Sequence, residues 1–130
     1  MALVSAKILV IDDDPLILTI IEHKLRARGH VVRTADDGAA GLAQAQAFAP
    51  DLVVLDMMMP VLDGWEVLRA LRQDPVLRRV PVVMLTARRS EDDMSEAFGL
   101  GVSDYIAKPF NPAELVARVD RLLPQVAAAS

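Results

Sequence analysis

Short runs of apolar residues alternate along the chain with longer segments in which apolar residues recur every three or four positions. The short runs are rich in Val, Leu and Ile, a pattern that predicts β-strands buried on both faces. Five strands are predicted: Lys7–Ile11, Val31–Ala35, Asp51–Leu55, Pro81–Leu85 and Asp104–Ala107. The third run leads directly into Asp56, and the Asp63-Gly64 pair after it predicts a turn, so Asp56 is expected at the carboxyl end of its strand.

The longer segments predict five helices, one after each strand. They run from Pro15 to a stop at Gly29, from about Gly38 to Phe48, over Gly64–Leu71, from Ser90 to about Phe98, and from Pro112 to a stop at Pro124. N-caps are predicted at Asp14, at Asp36 or Asp37, and at Ser90. These residue types accept hydrogen bonds from the free N–H groups at the start of a helix.

The alternation of strands and helices predicts an α/β fold. Right-handed crossover connections place successive strands parallel in one sheet, so five strands and five helices give a doubly wound sheet with helices on both faces. A chain of 130 residues has the size of one domain. The domain is expected to cover residues 1–123, and residues 124–130 are expected to form a disordered tail or the start of a linker.

The composition excludes several classes of function. A net charge of −4 argues against nucleic-acid binding, which would need a basic face. The chain has no cysteine, so disulfides, thiolate catalysis and cysteine zinc sites are excluded. No segment reaches the roughly 18 apolar residues of a membrane span, and Met1–Lys7 lacks the apolar region of a signal peptide. A soluble cytoplasmic protein is expected.

Polar residues stand at the carboxyl ends of four predicted strands: Asp12 with Asp13, Asp56, Thr86 and Lys108. These ends meet at one crevice in an open parallel sheet, and such folds bind their ligands there. Two carboxylates about 4 Å apart repel by roughly 4 kcal/mol at an effective dielectric of 20, so a compensating positive charge is expected. Mg²⁺ suits a set of oxygen ligands, and Lys108 supplies a further mobile charge.

The motifs at these strand ends resemble those of the receiver domain of two-component response regulators, and the resemblance covers roughly Lys7 to Leu123. The matching stretches are Ile8-Leu9-Val10-Ile11-Asp12-Asp13-Asp14-Pro15, Asp51-Leu52-Val53-Val54-Leu55-Asp56-Met57-Met58-Met59-Pro60 with Asp63-Gly64, Val83-Met84-Leu85-Thr86-Ala87, and Asp104-Tyr105-Ile106-Ala107-Lys108-Pro109-Phe110. Four motifs in the family's order make a chance match very improbable.

The resemblance implies a flavodoxin-like strand order, 2-1-3-4-5, and a metal site beside a phosphoacceptor. Asp56 would accept the phosphoryl group. Asp12 and Asp13 would bind Mg²⁺ together with Asp56 and the backbone carbonyl of Met58, and Asp13 is favoured as a direct ligand.

Further residues would respond to the phosphoryl group. Thr86 and Lys108 would contact its oxygens, and the rotamer of Tyr105 would report the state. Met58 and Arg88, each two residues past a site residue, would flank the path of the attacking water. Slow self-dephosphorylation is expected because Met58 is bulky and apolar.

The implied function is a signalling switch, not an enzyme. A sensor histidine kinase or a phosphotransfer protein would donate the phosphoryl group from a phosphohistidine. Repacking of the surface formed by the fourth helix, fifth strand and fifth helix would then control an output partner or a fused output domain. The chain itself is expected to bind neither nucleic acid nor a membrane.

Two other classes of function share parts of this pattern. A haloacid-dehalogenase-like phosphohydrolase also uses an aspartyl nucleophile with Mg²⁺, but its Asp-x-Asp-x-Thr/Val pattern meets Leu16 at the last position and leaves Asp56 unexplained. A nucleotide-binding module on the same fold would need a glycine-rich phosphate loop, and none follows any predicted strand.

The isomer of the Lys108–Pro109 bond, which is cis in the family, is left open.

Several residues have structural interpretations. His23 and His30 are expected at the surface or its boundary, since no metal ligands accompany them. Met57 and Met59 are interpreted as packing residues. A solvated basic face is predicted for Arg69, Arg72, Arg78 and Arg79.

Assembly is expected to be weak. Asp104 and Arg118 match one charge pair across the activated dimers of winged-helix regulators, and Glu114 matches half of a second. Met94 and Ser103 stand where further charged residues would be needed. A monomer is predicted before phosphorylation and at most a weak dimer after it.

Overall fold

The computed structural model describes residues 5–87 and 91–123. Its five strands are β1 (Lys7–Ile11), β2 (Val31–Ala35), β3 (Leu52–Asp56), β4 (Val82–Thr86) and β5 (Asp104–Ala107). The predicted bounds of β1, β2 and β5 are confirmed. Strands β3 and β4 each begin and end one residue later than predicted. Asp56 and Thr86 are therefore the last residues of these strands and not the residues that follow them.

All five strands are parallel and lie in the order β2-β1-β3-β4-β5, which confirms the predicted sheet. Alternate residues of a strand point to opposite faces. Leu9 and Ile11 accordingly pack into one buried cluster, and Ile8 and Val10 into another. Each cluster includes helical side chains, so helices cover both faces of the sheet.

Five helices connect and follow the strands: α1 (Pro15–Ala27), α2 (Gly38–Phe48), α3 (Gly64–Gln73), α4 (Glu91–Gly99) and α5 (Pro112–Leu122). Buried residues of α1 and α5 belong to the cluster with Ile8 and Val10, and those of α2, α3 and α4 to the other. The third helix ends two residues later than predicted. No helix in the described part of the chain is long and apolar enough to cross a membrane.

Aspartate side chains cap three of the helices. Asp14 accepts a hydrogen bond from the Leu16 N–H, and Asp37, not its neighbour, caps α2. Asp63 forms a capping box with Glu66 at the start of α3. The predicted cap at Ser90 lies outside the described residues.

His30 is buried, with 8% of its surface exposed, so its predicted surface position is wrong. Its Nδ1 atom accepts a hydrogen bond from the Ala6 N–H, 3.1 Å away, just before β1. Burial lowers the pKa of His30. The negative charge of Asp120 opposes this shift, and the positive charge of Arg28 reinforces it. The neutral imidazole is therefore part of the fold, whereas His23 is exposed as predicted.

Arg72 does not belong to a solvated basic face, which corrects that part of the prediction. Its guanidinium donates to the carbonyl oxygens of Val80 and Leu100, each 2.9 Å away, and to those of Arg78 and Gly101. Arg72 thereby joins the end of α3 to the loop before β4 and to the turn after α4. Arg69, in contrast, forms an exposed ion pair with Glu96, and Arg78 and Arg79 are exposed.

Candidate functional site

The carboxyl ends of four neighbouring strands hold the polar residues singled out in the sequence. Asp12 follows β1, Asp56 ends β3, Thr86 ends β4 and Lys108 follows β5. The strands are in step at this edge, with Ile11 beside Leu55, Asp56 beside Leu85, and Thr86 beside Ala107. Parallel pairing therefore brings these side chains to one edge of the sheet, as predicted.

Three carboxylates form the centre of this site. Asp12, Asp13 and Asp56 each offer an oxygen within 4.8 Å of the others. Asp12 is fully buried and Asp56 is 2% exposed, whereas Asp13 is exposed. Two negative charges held in a low-dielectric environment beside a third cost free energy unless a cation compensates them.

Lys108 supplies part of that compensation within the chain. Its Nζ atom lies 2.9 Å from Asp12 Oδ2 and 3.3 Å from Asp56 Oδ1. Burial lowers the pKa of Lys108, but the hydrogen bond to Asp12 and the charges of both carboxylates outweigh burial and raise it overall. Lys108 is therefore an ammonium ion that bridges two buried acids.

The carboxyl group of Asp56 has a raised pKa. Burial and the nearby charge of Asp12 raise its pKa to about 6, against the opposing effects of Lys108 and of the hydrogen bond from the Met58 N–H. Desolvation and a like charge both disfavour an ionised carboxyl group. A bound cation would reverse these effects and favour the carboxylate, which is the nucleophilic form.

The backbone around Asp56 holds the carboxylate in place. The Met58 N–H donates to Asp56 Oδ1 at 3.2 Å, and Gly64 N–H donates to the Met57 carbonyl. A Cβ atom on Gly64 would lie 2.4 Å from the Asp56 carbonyl oxygen, so only glycine allows α3 to start this close to β3. The sequence signalled only a turn at this glycine, because the contact depends on how α3 packs.

The residues present fit a divalent metal ion. Their potential ligand atoms are all oxygens, the exposed position of Asp13 gives access from solvent, and the carboxylates need positive charge. Asp14 does not join them, because it is exposed and its side chain caps α1, as predicted. The contribution of the Met58 carbonyl stays a prediction.

An apolar cavity of about 380 Å³ opens beside Lys108. Its lining is Ile17 and Ile20 of α1, Ala87, and the segment Lys108, Pro109, Phe110 and Pro112. The Lys108–Pro109 peptide bond is cis, which answers the point that the sequence left open. The cavity gives the acidic site an apolar border on which another molecule could dock.

A second cavity, of about 240 Å³, lies between α4, β5 and α5. Its lining is Met94, Tyr105, Ile106, Ala107, Glu114 and Arg118. Arg118 donates to Asp104 within the same chain at 2.7 Å and approaches Glu114 at 3.4 Å. Tyr105, half-buried, therefore borders both the core and an exposed recess.

The structure brings together Asp12, Asp13, Asp56 and Lys108, and it places Thr86, which is fully buried, at the end of the neighbouring strand. The sequence predicted a phosphoryl contact for Lys108 but did not indicate its closer partner in the structure, Asp12. Arg88 lies outside the described residues, so its predicted role in phosphate lifetime stays a prediction.

The model of the response regulator receiver domain family matches residues 8–120. Among curated proteins, the chain is 44% identical over 119 residues to the alkaline phosphatase synthesis transcriptional regulatory protein PhoP of Bacillus subtilis, covering 92% of this chain and 49% of that protein. It is 49% identical over 119 residues to the transcriptional regulatory protein PrrA of Mycobacterium tuberculosis, covering 92% of this chain and 50% of that one. The chain thus spans about half the length of these relatives.

Solved structures show the same likeness over their full length. The chemotaxis protein CheY4 of Vibrio cholerae superposes with a TM-score of 0.87 at 35% identity, covering 92% of this chain and all of that one. A response regulator from Chloroflexus aurantiacus gives a TM-score of 0.84 at 36% identity, covering 93% and 99%.

Proposed function

Because the chain belongs to the response regulator receiver domain family of two-component systems, we propose that it is a phosphorylation-dependent switch that accepts a phosphoryl group on Asp56. The observation that carries this proposal is the placement of Asp56. It is a buried carboxylate at the end of the central strand, within reach of two further carboxylates and of the Lys108 ammonium. Its exposed neighbour Asp13 leaves the cluster open to solvent.

The transfer exchanges one bond to phosphorus for another. An oxygen of the Asp56 carboxylate attacks the phosphorus of a phosphohistidine, and the bond from phosphorus to the imidazole nitrogen breaks as the new P–O bond forms. The product is an aspartyl phosphate, and the imidazole takes up a proton. Transfers of this type depend mainly on positioning and on neutralisation of the phosphoryl oxygens.

Asp12, Asp13 and Asp56 would hold Mg²⁺, with the Met58 carbonyl as a further ligand. When bound, the metal ion supplies positive charge to the phosphoryl oxygens. Lys108 is placed to supply more, because its Nζ atom already lies 3.3 Å from an Asp56 oxygen. The flexible side chain of Lys108 would allow its ammonium group to turn from Asp12 toward the phosphoryl group.

The output follows from the strands that flank Asp56. A phosphoryl group adds nearly two negative charges and three acceptor oxygens, and the hydroxyl of Thr86 on the next strand can donate to one of them. Movement of Thr86 would alter the space available to Tyr105 on β5 and hence the recess that Arg118 borders. A charge added at Asp56 would thus repack the surface of α4, β5 and α5.

The phosphodonor would be a sensor histidine kinase or a phosphotransfer protein. The apolar cavity between α1 and the segment after β5 adjoins Lys108 and offers such a donor a surface beside the acceptor. Two relatives are transcriptional regulators about twice as long as the matched region. We therefore propose that the switch controls an output domain or partner, while this chain makes no direct contact with nucleic acid.

The haloacid-dehalogenase alternative is not supported. The family match covers residues 8–120, and Asp14, the second acid of the pattern that alternative requires, is an exposed helix cap. Asp56, which the alternative leaves without a role, instead belongs to the acidic cluster.

The deciding experiment is labelling with acetyl phosphate and Mg²⁺. The wild-type protein should gain one acid-labile phosphoryl group, and Asp56→Asn should gain none. Asp51→Asn, which changes an exposed acid just before the opposite end of β3, is the matched control and should label like the wild type. Equal labelling of wild type and Asp56→Asn would overturn the assignment.

A further inference from the structure

Three consecutive methionines follow the acceptor, and the structure separates them by exposure. Met58 is 49% exposed, whereas Met57 is 1% and Met59 7% exposed. Met84 is fully buried and Met94 is half-buried. Among the described residues, Met58 is therefore the most exposed methionine.

Met58 is also tied to the acceptor. Its backbone N–H lies 3.2 Å from Asp56 Oδ1, and one N–Cα bond of about 1.46 Å separates that nitrogen from the root of the side chain. The side chain of Met58 thus starts within about 5 Å of the carboxylate. A chemical change in this side chain would alter the environment of the phosphoryl group.

We propose that Met58 is a site of reversible oxidation by peroxide and that its oxidation shortens the lifetime of the aspartyl phosphate. In this step the thioether sulfur gives two electrons to the peroxide. The O–O bond breaks, an S–O bond forms, and the peroxide is reduced to water. The effect on the lifetime of the aspartyl phosphate rests on the proposed function, whereas the oxidation of Met58 does not.

The chain directs peroxide to this sulfur for two reasons. It contains no cysteine, so methionines are its only sulfur-containing side chains. A sulfoxide is polar, and at Met57 or Met59 it would have to be buried among apolar side chains, which costs free energy. At Met58 water can solvate it.

The effect on lifetime follows from polarity. An apolar side chain beside the acyl phosphate keeps the attacking water disordered, whereas a sulfoxide oxygen accepts a hydrogen bond and can hold that water near phosphorus. One added hydrogen bond would shorten the half-life by roughly two- to tenfold. Methionine sulfoxide reductases act on this modification, so the change is reversible.

The test uses hydrogen peroxide on the whole chain, with peroxide removed before phosphorylation. Among the methionines that the structure describes, peptide mass mapping should place the first added oxygen on Met58, both in the wild type and in Met94→Leu. Aspartyl phosphate half-lives are then compared before and after peroxide within each protein. The half-life should fall in the wild type and in Met94→Leu, stay constant in Met58→Leu, and recover after treatment of the wild type with the reductase.

Each contrary result overturns a defined part. Oxidation of another described methionine before Met58 would refute the site, and an unchanged half-life with Met58 oxidised would refute the regulatory effect. A loss of half-life in Met58→Leu equal to that in the wild type would place the cause elsewhere. Failure of the untreated protein to accept a phosphoryl group would refute the proposed function and the lifetime effect together, while the mass map would still decide the site.

Discussion

The Lys108 ammonium is paired with Asp12, whose Oδ2 atom lies 2.9 Å from Nζ, more closely than with the proposed acceptor Asp56, whose Oδ1 atom lies 3.3 Å away. Lys108 is 19% exposed and Asp12 has no exposed side-chain surface. In the absence of a metal ion, this lysine is therefore a counter-charge for a buried acid, in addition to its proposed role toward the phosphoryl oxygens.

Replacing Lys108 with Gln should destabilise the protein without metal by about 3 kcal/mol, because it leaves buried carboxylates uncompensated. Added Mg²⁺ should restore part of that loss, so the metal ion should stabilise Lys108→Gln more than the wild type. Urea unfolding with EDTA or with Mg²⁺ measures both effects. Lys24→Gln, an exposed change on α1, is the control, and equal losses in the two variants would contradict the pairing argument.

Asp13→Ala should weaken Mg²⁺ binding strongly, because it removes the accessible carboxylate of the acidic cluster. Asp14→Ala should leave Mg²⁺ affinity nearly unchanged and cost about 1 kcal/mol of stability as a lost helix cap. Magnesium titrations and unfolding curves of the two variants separate these effects. A matching loss of affinity in Asp14→Ala would mean that the acidic run is assigned in the wrong register.

Asp56→Asn should stabilise the metal-free protein at neutral pH. The pKa of Asp56 rises from 3.8 to about 6 on folding, so the folded state binds more protons between these values and the contribution of Asp56 to stability is lost as pH rises through about 6. The variant should gain roughly 1–3 kcal/mol over the wild type at pH 7–8.

That advantage should shrink as pH falls from about 6 toward 4, because Asp56 becomes protonated in the folded state, and it should disappear below 3.8, where the carboxyl group is protonated in the unfolded state as well. Unfolding of the two proteins in EDTA across this pH range measures the difference between their free energies of unfolding. Other acids titrate in both proteins, so their contributions cancel in this difference. A constant difference at every pH would show that Asp56 does not titrate as argued.

Arg72→Ala should destabilise the protein by about 2–4 kcal/mol, because four backbone carbonyls lose a charged donor. The neighbouring exposed residue Arg79 provides the comparison, and Arg79→Ala should change stability by less than about 0.5 kcal/mol. Thermal unfolding of both variants checks this. Similar small effects would restore the interpretation of Arg72 as part of a solvated face.

The protein should be monomeric when unphosphorylated and form at most a weak dimer with Mg²⁺ and beryllofluoride. Arg118 already pairs with Asp104 of its own chain. Replacing this ion pair by an equivalent exposed pair across a dimer would therefore add only about 0–1 kcal/mol to the free energy of dimerisation. Sedimentation with and without the activating mixture measures this, with Arg121→Ala as a control on the same helix. A nanomolar dimer that survives Arg118→Ala would place the interface on another face.

Local patterns in the sequence determined most of the fold. Apolar runs predicted five strands to within a residue at each end, and Asp14 and Asp37 were recognised as caps because capping involves only the first turn of a helix. The convergence of Asp12, Asp56 and Lys108 was also predictable, since the parallel strand ends of a doubly wound sheet share one edge.

Tertiary packing decided what local pattern could not. Arg72 donates hydrogen bonds to carbonyl oxygens of two other segments, and His30 is buried against the residue before β1. The residues next to Arg72 and His30 in the sequence indicate neither arrangement. The same holds for the choice of Asp12 as the closer partner of Lys108 and for the raised pKa of Asp56. These properties depend on which atoms from other elements surround a group and how much water they exclude, and that is fixed only when the helices pack on the sheet.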